Sequence, residues 1–207
     1  MLIVPQRLAR DLRDRLGLVR AIETGTYRGQ GARLLAEVFP TVITIEVAPQ
    51  LARAAARALG ALPNVRVEQG SSRDVLPRLV DANQPTLYWL DGHWSGGATG
   101  GADDQCPVLA ELDAIAGGHA DDCILIDDAR LFLAPPPPPH RPEQWPSYRQ
   151  IEDAIRSARP RHAIVVAHDV VVAVPERVAQ LAADFAARRP PRGISPARRL
   201  LNRALVR

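Results

Sequence analysis

The order of strand-like and helix-like segments is the feature that most restricts the fold of this chain. Apolar runs typical of strands lie at 19–24, 41–46, 64–69, 85–91 and 121–127. They alternate with helical patterns at 29–38, 48–60, 72–82, 107–117 and 147–158. Strands that alternate with helices predict βαβ units and a parallel sheet. A preceding amphipathic helix is predicted over 5–16, where Leu8, Leu12 and Leu16 recur at helical spacing.

The last two strand-like runs break this alternation. The β-branched runs 162–167 and 170–174 are separated only by His168 and Asp169. Because two residues cannot hold a crossover helix, these strands must form an antiparallel hairpin. The sequence therefore predicts an α/β, Rossmann-like fold with a mostly parallel seven-stranded sheet and an antiparallel terminal hairpin strand.

Length and charge predict one domain followed by a basic tail. We place the domain at 1–187 and the tail at 188–207. The tail holds seven arginines and no acidic residue, and without it the net charge changes from +3 to −4. A mildly acidic body does not support a general nucleic-acid groove. The chain has no lysine, which excludes a Schiff-base lysine and a P-loop lysine.

The N-terminal residues, the two cysteines and the tail bear on the compartment and the assembly state. The apolar run Leu2-Ile3-Val4 is interrupted by Pro5, so we expect no signal peptide, no transmembrane segment and a cytoplasmic protein. Cys106 and Cys123 do not resemble a disulfide framework or a zinc site. Three interpretations of the tail stay open: a helix docked on this domain or a sister subunit, a membrane-surface helix, and a disordered segment. We expect the first, in a homodimer to which the tail contributes.

Carboxylates follow two of the predicted strands. Tyr88-Trp89-Leu90 leads into Asp91, and Cys123-Ile124-Leu125-Ile126 leads into Asp127 and Asp128. Because ligands of open α/β sheets lie at the carboxyl ends of parallel strands, these aspartates could converge on one crevice. Three hard oxygen donors would suit Mg²⁺ or another hard divalent ion. The alternative is that they cap the helices that follow.

The first strand-to-helix turn carries a nucleoside-binding pattern. In Glu23-Thr24-Gly25-Thr26-Tyr27-Arg28-Gly29, Gly25 allows a sharp bend and Gly29 allows close helix packing. Glu46 closes the second strand, where a carboxylate can accept hydrogen bonds from both ribose hydroxyls. Since Glu23 would repel phosphates, an adenosyl sulfonium is favoured over a pyrophosphate. The candidate cofactor-binding residues are Glu23, Thr24, Gly25, Thr26, Tyr27, Gly29, Glu46, Ser71, Ser72 and Asp91; Asp74 is assigned to a helix start.

Two long loops follow the strands that end in aspartates. Residues 92–106 are glycine-rich, and residues 131–146 contain five consecutive prolines at 135–139. Long loops over a strand-end crevice are typical of substrate lids. The alternative for the proline run is a stiff spacer or a peptide ligand.

Together, these residues resemble the metal-dependent class I O-methyltransferases, nearest to the macrocin O-methyltransferase type that acts on sugars. The resemblance spans roughly 19–175 and rests on Glu23-Thr24-Gly25-Thr26, Glu46, Asp91 and the pair Asp127-Asp128. It does not include the Gly-His-Trp-Ser-Gly-Gly stretch or the proline-rich loop. It implies that Asp91, Asp127 and Asp128 hold Mg²⁺, which binds two vicinal oxygens of a small-molecule acceptor.

The resemblance also implies a reaction. S-adenosylmethionine would methylate a hydroxyl of a sugar or another vicinal diol. The candidate catalytic residues are Asp91 and His93, of which His93 would accept the proton. His93 could instead be a fourth metal ligand or a packing residue. Two rival functions stay open: a non-catalytic adenosyl-nucleoside-binding partner protein, and a nicotinamide oxidoreductase.

Overall fold

A computed structural model describes residues 4–96 and 99–188. The strands are β1 (Arg20–Thr24), β2 (Val42–Glu46), β3 (Val65–Gln69), β4 (Thr86–Leu90), β5 (Cys123–Ile126), β6 (His162–Ala167) and β7 (Val170–Pro175). The helices are α1 (Gln6–Leu16), α2 (Gln30–Ala36), α3 (Pro49–Leu59), α4 (Ser72–Val75), α5 (Val108–Ala114), α6 (Arg130–Leu133), α7 (Tyr148–Ala158) and α8 (Ala179–Ala187).

The strands form one sheet in the order β3-β2-β1-β4-β5-β7-β6. β1 to β5 pair in parallel, whereas β7 is antiparallel to both β5 and β6. The predicted seven-stranded sheet with its terminal hairpin is therefore confirmed. The order reverses between β1 and β4, and such a reversal opens a crevice at the carboxyl ends of the strands.

Helices cover both faces of the sheet. Along β4, Leu87 and Trp89 pack into one apolar cluster, while Tyr88 and Leu90 pack into the other. This alternation follows from the two-residue period of a strand. α1, α2 and α8 contribute to the first cluster, and α5 and α7 contribute to the second. The central strands are thus buried on both faces, which explains their continuous apolar runs.

Two predicted segments differ from the structure. The helix predicted over 72–82 ends at Val75 and continues as a 3₁₀ turn over Leu76–Arg78, because Pro77 has no amide hydrogen to donate. The segment 131–146 was predicted as a loop, but its first residues belong to α6. α6 ends before Ala134, which is extended because a residue that precedes proline disfavours the helical region.

Three further expectations concern the cysteines, membrane spans and the tail. Cys106 and Cys123 are buried free thiols. Within the two described ranges, no helix combines the length and apolar character that a membrane span needs. The predicted tail helix and its part in a homodimer lie outside the described residues, apart from Arg188.

Candidate active site

Three strand ends meet at a cavity of about 300 Å³ on the carboxyl edge of the sheet. Residues that follow β1, β2 and β4 line it. Of the predicted cofactor residues, those that line it are Glu23, Gly25, Thr26, Tyr27, Glu46, Ser72 and Asp91. Thr24, Gly29 and Ser71 lie outside the lining: Thr24 is fully buried, Gly29 precedes α2 and Ser71 precedes α4. The cavity volume is at the lower end of the range for small-molecule sites.

Gly25 closes the contact between β1 and the loop after β4. Its backbone φ is +82°, in the left-handed region that favours glycine. A Cβ atom built at this position would lie 2.1 Å from the carbonyl oxygen of Asp91. Only glycine therefore allows both the turn and the close approach of the two chain segments.

The Glu46 carboxylate is held in one orientation by the backbone. Its Oε2 accepts a hydrogen bond from the amide of Tyr27 at 2.8 Å, and its Oε1 accepts one from the amide of Ala48 at 2.9 Å. The residue is only 5% exposed, yet it lines the cavity. Because each carboxylate oxygen can accept more than one hydrogen bond, Glu46 keeps capacity for a ligand.

Glu23 is a buried acid beneath the same cavity. The hydroxyl of Thr44 donates to its Oε2 at 2.5 Å, and the hydroxyls of Thr44 and Thr26 lie 2.6 Å apart. Burial raises the pKa of Glu23 to about 8. A carboxyl in this environment favours its protonated form or a positively charged neighbour.

We expect Glu23→Gln to change how stability depends on pH. The pKa of Glu23 is about 8 in the folded chain against 4.5 as the ordinary value, so the stabilising contribution of the protonated acid is lost as pH rises through 8. Glutamine keeps a neutral group of similar shape. The variant should match the parent near pH 4.5 and exceed it by a few kcal/mol near pH 9. Thermal denaturation of the ligand-free protein across this range measures the difference. The exposed Glu176→Gln serves as control, and a parallel pH profile for parent and Glu23→Gln would refute the expectation.

The glycine-rich loop lines the cavity next to the end of β2. Ser95, Gly96, Thr99 and Gly100 line it, and a Cβ atom on Gly100 would lie 2.4 Å from Cγ1 of Val47. The loop thus packs on the residue that follows Glu46. That part of the loop covers the end of β2, next to the predicted ribose-binding carboxylate.

The proline-rich loop is tied to the glycine-rich loop near His93. Oε1 of the buried Gln105 accepts hydrogen bonds from the amide of Arg141 at 2.8 Å and from Nε1 of Trp145 at 3.1 Å. The Trp145 ring contacts the rings of His93 and His140, at centroid distances of 5.3 and 4.9 Å. Two loops that are distant in sequence therefore form one wall beside His93.

His93 lies between two of the predicted carboxylates. Its Nε2 is 3.0 Å from Oδ2 of Asp128 and 3.7 Å from Oδ1 of Asp91. Burial lowers the pKa of His93, but the hydrogen bond with Asp128 and the charge of Asp91 outweigh it and raise this pKa to about 9. Burial raises the pKa of Asp91 well above its ordinary value. The charge of His93 in turn lowers the pKa of Asp91, so the imidazolium and this carboxylate stabilise each other.

The three aspartates do not share one environment. Asp128 contacts His93 through Oδ2 and the guanidinium of Arg130 through Oδ1. Neither oxygen of the buried Asp127 has a hydrogen-bond partner among the described residues, and burial with the charge of Asp128 raises its pKa to about 7. Only Asp91 and His93 of this group line the cavity.

These contacts bear on the predicted magnesium site. Across the described ranges, no three His, Cys, Asp or Glu side chains are grouped as ligands of one metal ion. The guanidinium of Arg130 already contacts Oδ1 of Asp128, so a metal ion bound at this oxygen would lie beside another positive charge. The side chains as arranged therefore do not fit Mg²⁺ held by Asp91, Asp127 and Asp128 together.

Sequence reasoning assigned no role to three residues of this region. Arg130 lies two residues after the aspartate pair, Asp169 lies in the hairpin turn, and the buried Glu111 of α5 lies beneath Gly92. A Cβ atom on Gly92 would be 2.9 Å from Oε1 of Glu111. In the sequence, only their charge indicates a role, because charged residues beside apolar strands need partners when they are buried.

Comparison with known proteins shows the fold. No family model matches the chain, and no curated protein has significant similarity to it. Solved structures do match. One is an O-methyltransferase from Streptomyces achromogenes involved in tomaymycin synthesis, in complex with S-adenosylmethionine; it is 18% identical, with a TM-score of 0.58 over 84% of this chain and 81% of that chain.

Two further structures are similar over comparable lengths. An O-methyltransferase from Bacillus cereus, in complex with S-adenosylhomocysteine, is 15% identical, with a TM-score of 0.56 over 84% of this chain and 82% of that chain. An amino pentose methyltransferase from Micromonospora echinaspora, involved in calicheamicin biosynthesis and bound to S-adenosylmethionine, is 14% identical, with a TM-score of 0.52 over 82% of this chain and 89% of that chain. The chain thus has the Rossmann-like fold of class I methyltransferases.

Proposed function

We propose that this chain is an S-adenosylmethionine-dependent O-methyltransferase that acts on a hydroxyl of a small molecule. The observation that carries the proposal is the Glu46 carboxylate, fixed by two backbone amides at the end of β2 and facing a cavity beside Gly25. Similarly folded proteins that bind S-adenosylmethionine or its demethylated product support the choice of cofactor.

The residues that line the cavity fit an adenosyl sulfonium. Glu46 would accept hydrogen bonds from the ribose hydroxyls, and Gly25 would let the ligand approach the backbone. Glu23, whose ionisation burial disfavours, would favour a cationic ligand nearby. S-adenosylmethionine, when bound, supplies a methyl group on a positively charged sulfur.

His93 would accept the proton of the acceptor hydroxyl. The other ring nitrogen of His93, Nδ1, would take the proton as the acceptor oxygen bonds to the methyl group, and S-adenosylhomocysteine would be released. Nε2 keeps its hydrogen bond to the Asp128 carboxylate. Asp91 and Asp128, on either side of Nε2, stabilise the resulting imidazolium. The wall formed by Trp145 beside His93 would limit how the acceptor can be oriented.

The acceptor class is part of this proposal. A sugar or another vicinal diol is what the resemblance to macrocin-type enzymes implies. The structural similarity to a methyltransferase of an amino pentose supports a sugar. Magnesium, the other part of that resemblance, has no step in the mechanism, because the three aspartates do not fit one ion.

Methyl transfer from radiolabelled S-adenosylmethionine to a panel of glycosides and catechols tests this function. We expect label in an extractable methyl ether and an equal amount of S-adenosylhomocysteine. Tight cofactor binding without transfer to any acceptor would favour the non-catalytic nucleoside-binding protein. Binding of a nicotinamide dinucleotide instead would favour the oxidoreductase.

A further inference from the structure

Arg130 joins the loop after β5 to the turn of the terminal hairpin. Its Nη1 donates to Oδ1 of Asp128 and to Oδ2 of Asp169. The Arg130 amide donates to Oδ1 of Asp169 at 2.8 Å, and the Ala129 amide donates to the Asp169 carbonyl oxygen at 2.9 Å. We call Arg130, Asp128 and Asp169 the arginine clamp. Through it, one hairpin residue holds both the backbone and the side chains of the neighbouring loop.

The arginine clamp continues to His93. The oxygen of Asp128 that does not contact Arg130 lies 3.0 Å from Nε2 of His93. Contacts therefore run without a break from Asp169 through Arg130 and Asp128 to the proposed proton acceptor. With a hydrogen-bond donor on each oxygen, the Asp128 carboxylate has little freedom to rotate, and it holds the imidazole by Nε2.

The backbone at both carboxylates of the arginine clamp is strained. Asp128 has φ +55° and Asp169 has φ +69°, in the left-handed region. Such a conformation carries a cost for residues other than glycine, and strain of this kind persists where surrounding contacts over-determine the conformation. The bonds to Arg130 supply those contacts, so the unusual backbone directs both carboxylates towards one guanidinium.

Because Asp169 is buried and Asp128 is largely buried, their carboxylates need a positively charged partner. The side chain of Asp169 is 4% exposed and that of His93 is 4% exposed, whereas Arg130 is 31% exposed. Buried carboxylates without a partner are costly, and Nη1 of Arg130, which carries two hydrogens, donates to both of them. Arg130 thus supplies, from the chain itself, the positive charge that a divalent ion would bring to Asp128.

We propose that Arg130 and Asp169 are positioning residues that hold Asp128, and through it His93, in place of a metal ion. The inference rests on the proposed function for its kinetic consequence. It predicts methyl transfer that does not require a divalent ion, and a rate that depends on residues outside the cavity.

The test compares Asp169→Asn, Arg130→Gln and Arg130→Lys with the parent. Asparagine keeps the acceptor for the Arg130 amide and tolerates the left-handed backbone, but it replaces the charged oxygen that accepts from the guanidinium with an amide NH2, which cannot accept. We expect kcat to fall about 100-fold in Arg130→Gln, with the acceptor KM and the cofactor Kd within about threefold of the parent. Lysine restores the charge but not the planar guanidinium that places Nη1 between the two carboxylates, so its kcat should be about tenfold higher than that of Arg130→Gln. The kcat of Asp169→Asn should lie between those of Arg130→Gln and Arg130→Lys.

The controls separate positioning from general damage. Asp121 and Arg177 form an ion pair at the opposite edge of the sheet, so Asp121→Asn and Arg177→Gln are matched substitutions that should leave kcat unchanged. The parent should keep its rate in excess EDTA, with no gain from added Mg²⁺ or Mn²⁺. If Arg130→Gln does not fold, the kcat of Arg130→Lys and Asp169→Asn decides.

Three outcomes would overturn the inference: unchanged kcat in Asp169→Asn and Arg130→Gln, a parallel loss of kcat, cofactor affinity and thermal stability, or a parent whose rate is lost in EDTA and restored by Mg²⁺. Failure of the proposed function is distinguishable, because it gives no transfer in the parent at all. In that case the ¹⁵N signals of the five histidines remain a readout. The His93 signal should change in Asp169→Asn and not in Asp121→Asn, and an unchanged signal would refute the inference.

Discussion

Gly25→Ala is expected to abolish cofactor binding and to destabilise the chain. The new Cβ would lie 2.1 Å from the carbonyl oxygen of Asp91, a backbone atom that cannot move without shifting the loop that carries His93. The left-handed φ of +82° adds about 1–2 kcal/mol of strain. Because the turn must open to relieve the clash, Glu46 and the amide of Tyr27 lose their relative positions. Calorimetric titration should show at least about 100-fold weaker binding of S-adenosylmethionine, which corresponds to about 3 kcal/mol.

Gly17→Ala is the matched control. Gly17 has φ +68°, and a Cβ atom on this residue would meet no heavy atom within 4 Å. The control therefore carries the conformational cost without the clash and should weaken stability by about 1 kcal/mol, with unchanged cofactor affinity. Equal binding by parent and Gly25→Ala would show that the close approach at Asp91 does not shape the cofactor site.

His93→Gln is expected to remove most of the turnover while leaving cofactor binding intact. Loss of a positioned proton acceptor typically costs about 10²–10⁴ in rate. His93 contacts Asp91 and Asp128 rather than Glu46, so the affinity for S-adenosylmethionine should change little. Steady-state kinetics with the identified acceptor and a parallel binding titration give both numbers. His119→Gln, near the opposite edge of the sheet, is the control. A His93→Gln variant with parental kcat would remove His93 from the mechanism.

The pKa of His93 determines how the rate of methyl transfer should depend on pH. The pKa of His93 is raised to about 9, and only the neutral imidazole can accept a proton. The rate of the parent should therefore rise from pH 7 towards pH 9 and then level off. The rise should be absent from the residual rate of His93→Gln.

The fold could be predicted from the sequence because its signals are local. The two-residue gap at His168-Asp169 leaves no room for a crossover, and the apolar runs mark strands that are buried on both faces. Gly25 and Glu46 were identifiable for a similar reason: one permits a left-handed turn, and the other ends a strand beside it. Each of these inferences depends only on residues that are close together in sequence.

The arrangement of the acidic residues could not be predicted in this way. Asp91, Asp127 and Asp128 do end neighbouring strands, but which cation they meet depends on contacts between distant segments. Asp169 is 39 positions from Arg130 in sequence, and His93 is 35 from Asp128. Residue type and strand position therefore suggested a metal, whereas the packing of the hairpin against the β5 loop places Arg130 on Asp128.

Calorimetric titration of the parent and Glu46→Ala tests whether the cavity binds S-adenosylmethionine through Glu46. We expect micromolar affinity for S-adenosylmethionine and for S-adenosylhomocysteine in the parent. Loss of charge-assisted hydrogen bonds to the ribose, worth about 1.5–3 kcal/mol each, should weaken both in the variant by at least tenfold. Glu68→Ala, on the adjacent strand and outside the cavity, should bind like the parent. Equal affinity in the parent and Glu46→Ala would show that Glu46 does not bind the cofactor. A parent that binds a nicotinamide dinucleotide and not S-adenosylmethionine would show that the protein is not a methyltransferase.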